Sequence, residues 1–461
     1  MPETPQGQPQ EAAQLWAKGQ ALDPAIHAFT VGEDPLTDLA LVPHDCVASA
    51  AHARMLARAG LLDPKDAGAL VAALRELRDQ ALAGRFVILA EQEDAHTALE
   101  AALVARLGAA GKRIHLGRSR NDQVITALRL LMRERLAELA DLAAGLAEAF
   151  LAFAKAHEAD VLPGYTHLRP AMPSSFGQWA GAFAEGLLEC LADARSLDAK
   201  LDRCPLGAAA GFGVPLPIDR ELTASLLGFS AVQRNPVDVQ NSRGRHELAL
   251  LQWIGNLAMV LEKFLWDVAL YSTPEFGYLD VPEGFTTGSS IMPQKRNPDV
   301  VELARATCRA LRGAAHTVEQ LAGGMPSNYH RDFQLLKKPL LGALDDAAAW
   351  LAILQALVPA LQVNAGRAAE ACGDELYAAH AAFLLVKEGW TFRDAYREVA
   401  AEIAAGAFHP DRRALEATHT GGTANLALDA VAAELADHRA WIAQRQAAQA
   451  ALAQSLLETT P

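Results

Sequence analysis

Residues 286–299 read TTGSSIMPQKRNPD, a run that crowds hydroxyls, two cations and two prolines together. Gly288 permits hinge-like backbone angles, while Pro293 and Pro298 exclude a continuous helix. A loop holding Ser289, Ser290 and Lys295 can bring a hydroxyl and a cation together over a small anion. Without that chemistry it is a solvated surface loop before a helix, with Pro298 in the first turn. The spacing does not match the GxxxxGK phosphate loop, which argues against a nucleotide.

Further polar islands can join such a site. EDAHTALE (93–100) and HLGRSRNDQ (115–123) carry acidic and basic groups, and Arg118, Ser119, Arg120, Asn121 and Asp122 stand where a long helix begins. Free backbone N–H groups and two guanidinium forks suit a carboxylate or phosphate. The same residues also read as a helix cap, Asn121 or Asp122, beside solvated arginines. GYTHLRPAMPSS (164–175) places Thr166 and His167 in a loop stiffened by Pro163, Pro170 and Pro173. An imidazole held there can exchange a proton near neutral pH, or it is merely an exposed loop histidine. Downstream, GGMPSNYHRDFQLLKK (323–338) is similarly polar, and no HExxH, EF-hand or Rossmann pattern occurs.

Between the islands the chain reads as helix after helix. Ile125, Leu128, Met132, Leu136, Leu139, Ala143, Leu146, Phe150 and Phe153 advance by threes and fours, a mean step of about 3.5 residues. That is the seam of a helix over 122–158 packed nearly parallel to its neighbours. Further helical patterns cover about 176–202, 244–271, 298–322 and 332–358. The expected fold is mainly α, built on a long bundle. Breaks at the GAAG of 108–111, at Pro359 and at the VNAG of 363–366 predict three parts. They are an N-terminal helical domain over 1–114, a central long-helix bundle over 115–364 and a small helical domain over 365–461. Residues 118–121 and 166–167 then lie at opposite ends of one helix, roughly 55 Å apart at 1.5 Å per residue. If both serve one site, separate copies of the chain must supply them.

Composition narrows the classes. Of 461 residues, 51% are hydrophobic and 21% charged, a globular balance. The net charge of −14 argues against nucleic-acid binding by a general basic surface, so an anion would need a local cationic pocket. The five cysteines form no CxxC pair, which fits a reducing cytosol and argues against disulfides or a zinc cluster. MPETPQGQPQ at the start has neither a basic run nor an apolar core and reads as a frayed tail. The most apolar stretch, 248–271, is broken by Gln252, Asn256, Glu262, Lys263 and Asp267, so it reads as a bundle helix rather than a membrane span. A cytoplasmic protein is expected.

Taken together, the islands resemble a known family. GSSIMPQKRNPD resembles the signature of the fumarase/aspartase superfamily, whose members eliminate fumarate from succinyl compounds. GRSRNDQ, GYTHLRPAMPSSFGQW, PLGAAAGFGVPLPIDRELTASLLGF and NYHRDFQ look like the argininosuccinate lyase family within it, and the similarity runs from about residue 15 to HTGGTAN (419–425). The resemblance implies a three-domain, mostly helical homotetramer with a 20-helix central bundle, sites shared by three subunits, and no metal or organic cofactor.

It also implies roles. The reaction removes a weakly acidic proton beside a carboxylate, and preorganised donors and a cation must stabilise the charge that develops. By resemblance, Ser289 is the base, assisted by Lys295, and His167 serves as or orients the acid, with Glu302 as its carboxylate partner. Ser119, Asn121, Thr166, Lys295 and Asn297 would hold the substrate, with Arg118 and Arg243 nearby. Tyr329, Gln334 and Lys337 match positions that recognise the rest of argininosuccinate, and Asp94 is a candidate for its arginine end. The chain departs from the family pattern at Gly32, where serine is usual, at Leu116, where threonine is usual, and in NPVDVQNSRGR (235–245). Those changes bear on the amino-acid end of the substrate. The alternatives are a sibling lyase acting on another N-substituted aspartate and a catalytically silent relative like the eye-lens proteins of this fold.

Overall fold

A computed structural model describes residues 23–412 and 416–458. The expected tail and the start of the resemblance near residue 15 lie outside the described residues.

The long helix runs from Arg120 to Ala156, 37 residues. Its first turn is closed reciprocally: Ser119 Oγ accepts the Asn121 N–H at 3.3 Å, and Asp122 accepts the Ser119 N–H at 2.9 Å. The cap is therefore Ser119, with Asp122 as its return partner, not Asn121 or Asp122 as the sequence suggested. Every residue of the predicted seam, Ile125 through Phe153, is buried. The helix shares one core with Phe176–Leu201, Arg245–Tyr271, Asp299–Ala322 and Lys337–Ala360. The last of these starts later than predicted because Arg331–Leu336 forms a tighter 3₁₀ turn first.

At the centre of this bundle Phe150 meets Phe264 edge-on, with ring centroids 4.8 Å apart, and Phe183 and Trp179 close the cluster. Pro236–Tyr271 and Arg331–Ala360 are long and apolar enough to cross a membrane by length and composition. Within the helix Arg245–Tyr271, however, Glu262 and Asp267 have protein partners. Glu262 accepts from Arg309 at 2.9 Å and from Arg312 at 2.6 Å, and Asp267 accepts the Trp179 indole N–H at 2.9 Å.

A second core joins the N-terminal helices Val42–Arg58, Pro64–Leu82 and Ala95–Leu107 through Leu56, Leu70, Leu74 and Leu103. The final helix, Leu428–Glu458, serves both cores: Leu435 and Ile442 enter the bundle, while Leu456 and Leu457 enter the N-terminal core. Two regions read as loops contain short ladders. Val161–Thr166 pairs antiparallel with Arg169–Ser175, and Thr287–Gly288 pairs with Arg296–Asn297. In the first hairpin Pro163 lies opposite Pro173, so neither needs the N–H it lacks. The turn is His167–Leu168, with φ of 53° and 58°; both residues take the left-handed conformation that lets a two-residue turn match strand twist.

Phe150→Ala is expected to lower the unfolding free energy by about 3–5 kcal/mol through a cavity at this aromatic cluster. Chemical denaturation of the two proteins checks it, and a loss below about 1 kcal/mol would mean that the cluster does not anchor the bundle.

Candidate active site

At the N-terminal end of the Arg120–Ala156 helix, the first turn, the 30–38 segment, the EDAHT island and residues 329–337 enclose a cavity of about 170 Å³. Asp94, Asn121, Arg243, Tyr329, Gln334 and Lys337 all line it, although they are drawn from distant stretches of sequence. Asp34, Asp38, His96 and Arg331 also line it, and the sequence reading does not single these out.

The side chains are heavily cross-linked. Lys337 is buried, and its Nζ holds Asp34 at 2.9 Å as well as the Asp38 carboxylate. Burial pushes the Asp34 carboxyl up to about 6 against the pull of Lys337. Asp94 caps the Ala95–Leu107 helix by accepting the Thr97 N–H at 2.9 Å, and its other oxygen takes the Arg120 guanidinium. Burial opposes its ionisation, yet His96 and Arg120 outweigh that and hold it below the usual carboxylate range. Arg243 donates to Glu247 at 3.1 Å and to the Phe333 carbonyl at 3.2 Å.

Gln334 donates to the carbonyls of Thr30 and Val31, 2.9 and 3.1 Å away, and so grips the turn that ends at Gly32. Gly32 has φ +56°, a conformation that disfavours the usual serine, and an added Cβ would stand 3.8 Å from the Gln334 amide nitrogen. The departure seen in the sequence thus falls beside Gln334, which lines the cavity, while Gly32 itself does not.

Behind the wall lies a buried charge pair. His96 Nδ1 and Asp45 Oδ2 are 2.6 Å apart; Ser49 donates to Asp45, and Arg118 donates to Ser49 at 2.8 Å. Burial penalises both charges, but their mutual attraction wins, raising His96 and lowering Asp45. Arg118 therefore braces the wall instead of facing the cavity. Ser119 caps the helix with its Oγ accepting from Asn121, and its hydroxyl proton remains a donor.

The remaining candidates lie elsewhere. Thr166 and His167 are exposed on the hairpin beyond the far end of the long helix. Ser289, Lys295 and Asn297 belong to the 287–297 loop, and Glu302 is exposed in the first turn of Asp299–Ala322. Within that loop Ser289 Oγ accepts the N–H groups of Ile291 at 3.3 Å and Met292 at 3.1 Å. Two donors on one hydroxyl oxygen favour its negatively charged form. Asn297 closes the loop by donating to the Gly288 carbonyl at 3.4 Å. A single chain therefore presents three pieces: a charged cavity, an exposed imidazole and an exposed hydroxyl-bearing loop.

Comparison with known proteins gives these pieces a setting. A family model described as lyase matches residues 19–313, and the chain belongs to that family, within the fumarase/aspartase superfamily. Its curated relatives narrow the branch to the argininosuccinate lyases. The chain is 46% identical over 428 residues to argininosuccinate lyase of Sorangium cellulosum, covering 93% of this chain and 99% of that one. It is 41% identical to the Thermotoga neapolitana protein of the same name, over 84% of this chain and 97% of that one. Among solved structures, EDDS lyase in complex with formate superposes with a TM-score of 0.78 at 24% identity, covering 95% of each chain. Class II fumarase of Schistosoma mansoni gives 0.69 at 18% identity, covering 82% of this chain and 88% of that one, a likeness of fold.

Asp45→Asn should destabilise the protein by about 3–5 kcal/mol, because it strands a buried imidazolium. The raised His96 contributes fully below its ordinary 6.5 and loses that contribution as pH climbs through its higher folded value. The lowered Asp45 contributes above its ordinary 3.8 and loses that as pH falls. The Tm difference between the two proteins is thus expected to be largest between these values and to shrink at alkaline pH. A difference that does not vary with pH would show that the pair is not ionised.

Proposed function

We propose that this chain is an argininosuccinate lyase, eliminating fumarate from argininosuccinate to release arginine in arginine biosynthesis. The observation that carries the reading is the convergence of Asp94, Asn121, Arg243, Tyr329, Gln334 and Lys337 on one cavity. In this reading Ser289, as alkoxide, takes the proton from the carbon next to the departing nitrogen's carbon. The electron pair forms the new C=C bond, the C–N bond breaks, and the guanidine nitrogen gains a proton from the side of His167, directly or through water. Glu302 favours the charged imidazole. Lys295 and the loop N–H groups stabilise charge on Ser289 and on the substrate carboxylate. Thr166, Asn297, Ser119 and Asn121 contribute to gripping the succinyl part.

A homotetramer follows from the same reading. Cavity and imidazole sit apart in one chain, with about 55 Å of helix between them. Met259, Trp266 and Leu303 are 55%, 48% and 68% exposed on bundle helices, faces suited to burial against further copies. We place the protein in the cytoplasm, in keeping with five free, buried cysteines. A sibling lyase using another N-substituted aspartate is the second reading. It is favoured by Lys337, whose ammonium is already held by Asp34 and Asp38.

Incubation with argininosuccinate should produce the ultraviolet absorbance of fumarate. Turnover of a different succinyl adduct alone would move the assignment to the sibling, and silence across the panel would leave a structural relative. Ser289→Ala is expected to reduce kcat by about 10²–10⁴-fold; full retention of activity would remove Ser289 from the chemistry. Mixing His167→Ala and Lys295→Ala chains should restore partial activity, since some mixed sites receive both intact pieces. No recovery in verified mixed tetramers would count against shared sites.

A further inference from the structure

The glycine-rich run PLGAAAGFGVP (205–215) has no part in the elimination described above, yet a buried carboxylate organises it. Asp122 is fully buried in the first turn of Arg120–Ala156. One of its oxygens accepts the Ser119 N–H; the other accepts the N–H groups of Gly207 at 3.0 Å and Ala209 at 2.7 Å. Ala209 itself is held at φ +51°, an unfavourable angle for alanine that these bonds help to fix. From the opposite side Arg220 donates to the carbonyls of Leu206 at 3.0 Å and Pro205 at 3.3 Å. A segment without regular structure is thus clamped between one anion and one cation. Burial pushes the Asp122 carboxyl up to about 6, offset by its N–H donors and Arg118.

The far side of the loop touches Asn328, the residue just before Tyr329 in the cavity lining. Gly211, at φ +104°, fits against Gln240 and Asn328; a Cβ there would stand 2.9 Å from Gln240 Cγ and 3.0 Å from Asn328 Oδ1. Asn328, at φ +79°, donates its backbone N–H to Asn241 Oδ1 at 2.7 Å, which fixes the chain just before Tyr329. Asn121, immediately before Asp122, and Tyr329, immediately after Asn328, both line the cavity.

We infer that Asp122 is a positioning residue for substrate binding: through the 207–211 loop it sets the placement of Tyr329 relative to Asn121 across the cavity. It touches no substrate itself. This rests on the reading of the cavity as the substrate site.

Asp122→Asn tests it, since an amide of the same shape must turn an NH₂ group toward one set of N–H donors. The expected result is a rise in KM for argininosuccinate of about ten-fold, with kcat held within about three-fold. Backbone hydrogen exchange should also accelerate at residues 207–211 and at Asn328 and Tyr329 together. The second variant, Gly211→Ala, perturbs the far end of the same relay and should give the same KM-selective signature. If both variants fold, their combination should be less than additive in kcat/KM. Exchange confined to the 207–211 loop, or a fall in kcat with KM unchanged, would overturn the inference. The exchange measurement needs no substrate. A wild-type protein inactive on argininosuccinate would therefore refute the proposed function while leaving the coupling from Asp122 to Tyr329 to be decided separately.

Discussion

A single long helix separates the cavity from the hairpin that bears His167. The 37 residues from Arg120 to Ala156 are held in the bundle by a continuous buried seam and closed at the start by Ser119 and Asp122. The chain returns to the first turn much later, bringing Arg243, Tyr329, Gln334 and Lys337 to the cavity there. The hairpin bearing His167 leaves from the second end, and the cavity forms at the first. No side-chain motion bridges such a span, so the geometry of the rod decides how many chains a complete site would need.

The charged wall of the cavity obeys a second constraint. Lys337 is shared between Asp34 and Asp38, and Arg120 between Glu93 and Asp94. Behind them His96 and Asp45 form a buried pair. Removing a charge from water is tolerable only when an opposite charge stands against it, and here most buried ionic groups meet that condition through residues remote in sequence. The N-terminal segment is in this way fastened to residues 331–338 by polar contacts: Gln334 on the Thr30 and Val31 carbonyls, Lys337 on the two aspartates and Lys338 on Glu33.

Periodic features were legible in the sequence. The seam from Ile125 to Phe153 alternates threes and fours over many turns, and a pattern that long has one physical solution. The other bundle helices were legible for the same reason. The cap was misplaced by a few residues because Ser119, Asn121 and Asp122 are all competent cap formers, and only the reciprocal bond distinguishes them. The prolines of the His167 segment suggest a loop, yet they are compatible with a hairpin because Pro163 and Pro173 face each other where no N–H is required. The motif residues Asn121, Tyr329 and Lys337 could be named from resemblance. Asp34, Asp38 and Arg331 could not, because their meaning arises from pairings across some 300 positions that no local spacing encodes. Gly32 looked like a lost contact and is also a backbone requirement at φ +56°.

The loop around Ser289 is tied at its base by a two-residue ladder, and Ile291 stands 85% exposed at its tip. Both donors on the Ser289 oxygen come from the next three residues of the same loop. The polar surroundings of the hydroxyl are therefore set within the loop itself. A surface that met this loop would find the Ser289 oxygen already supplied with its two donors.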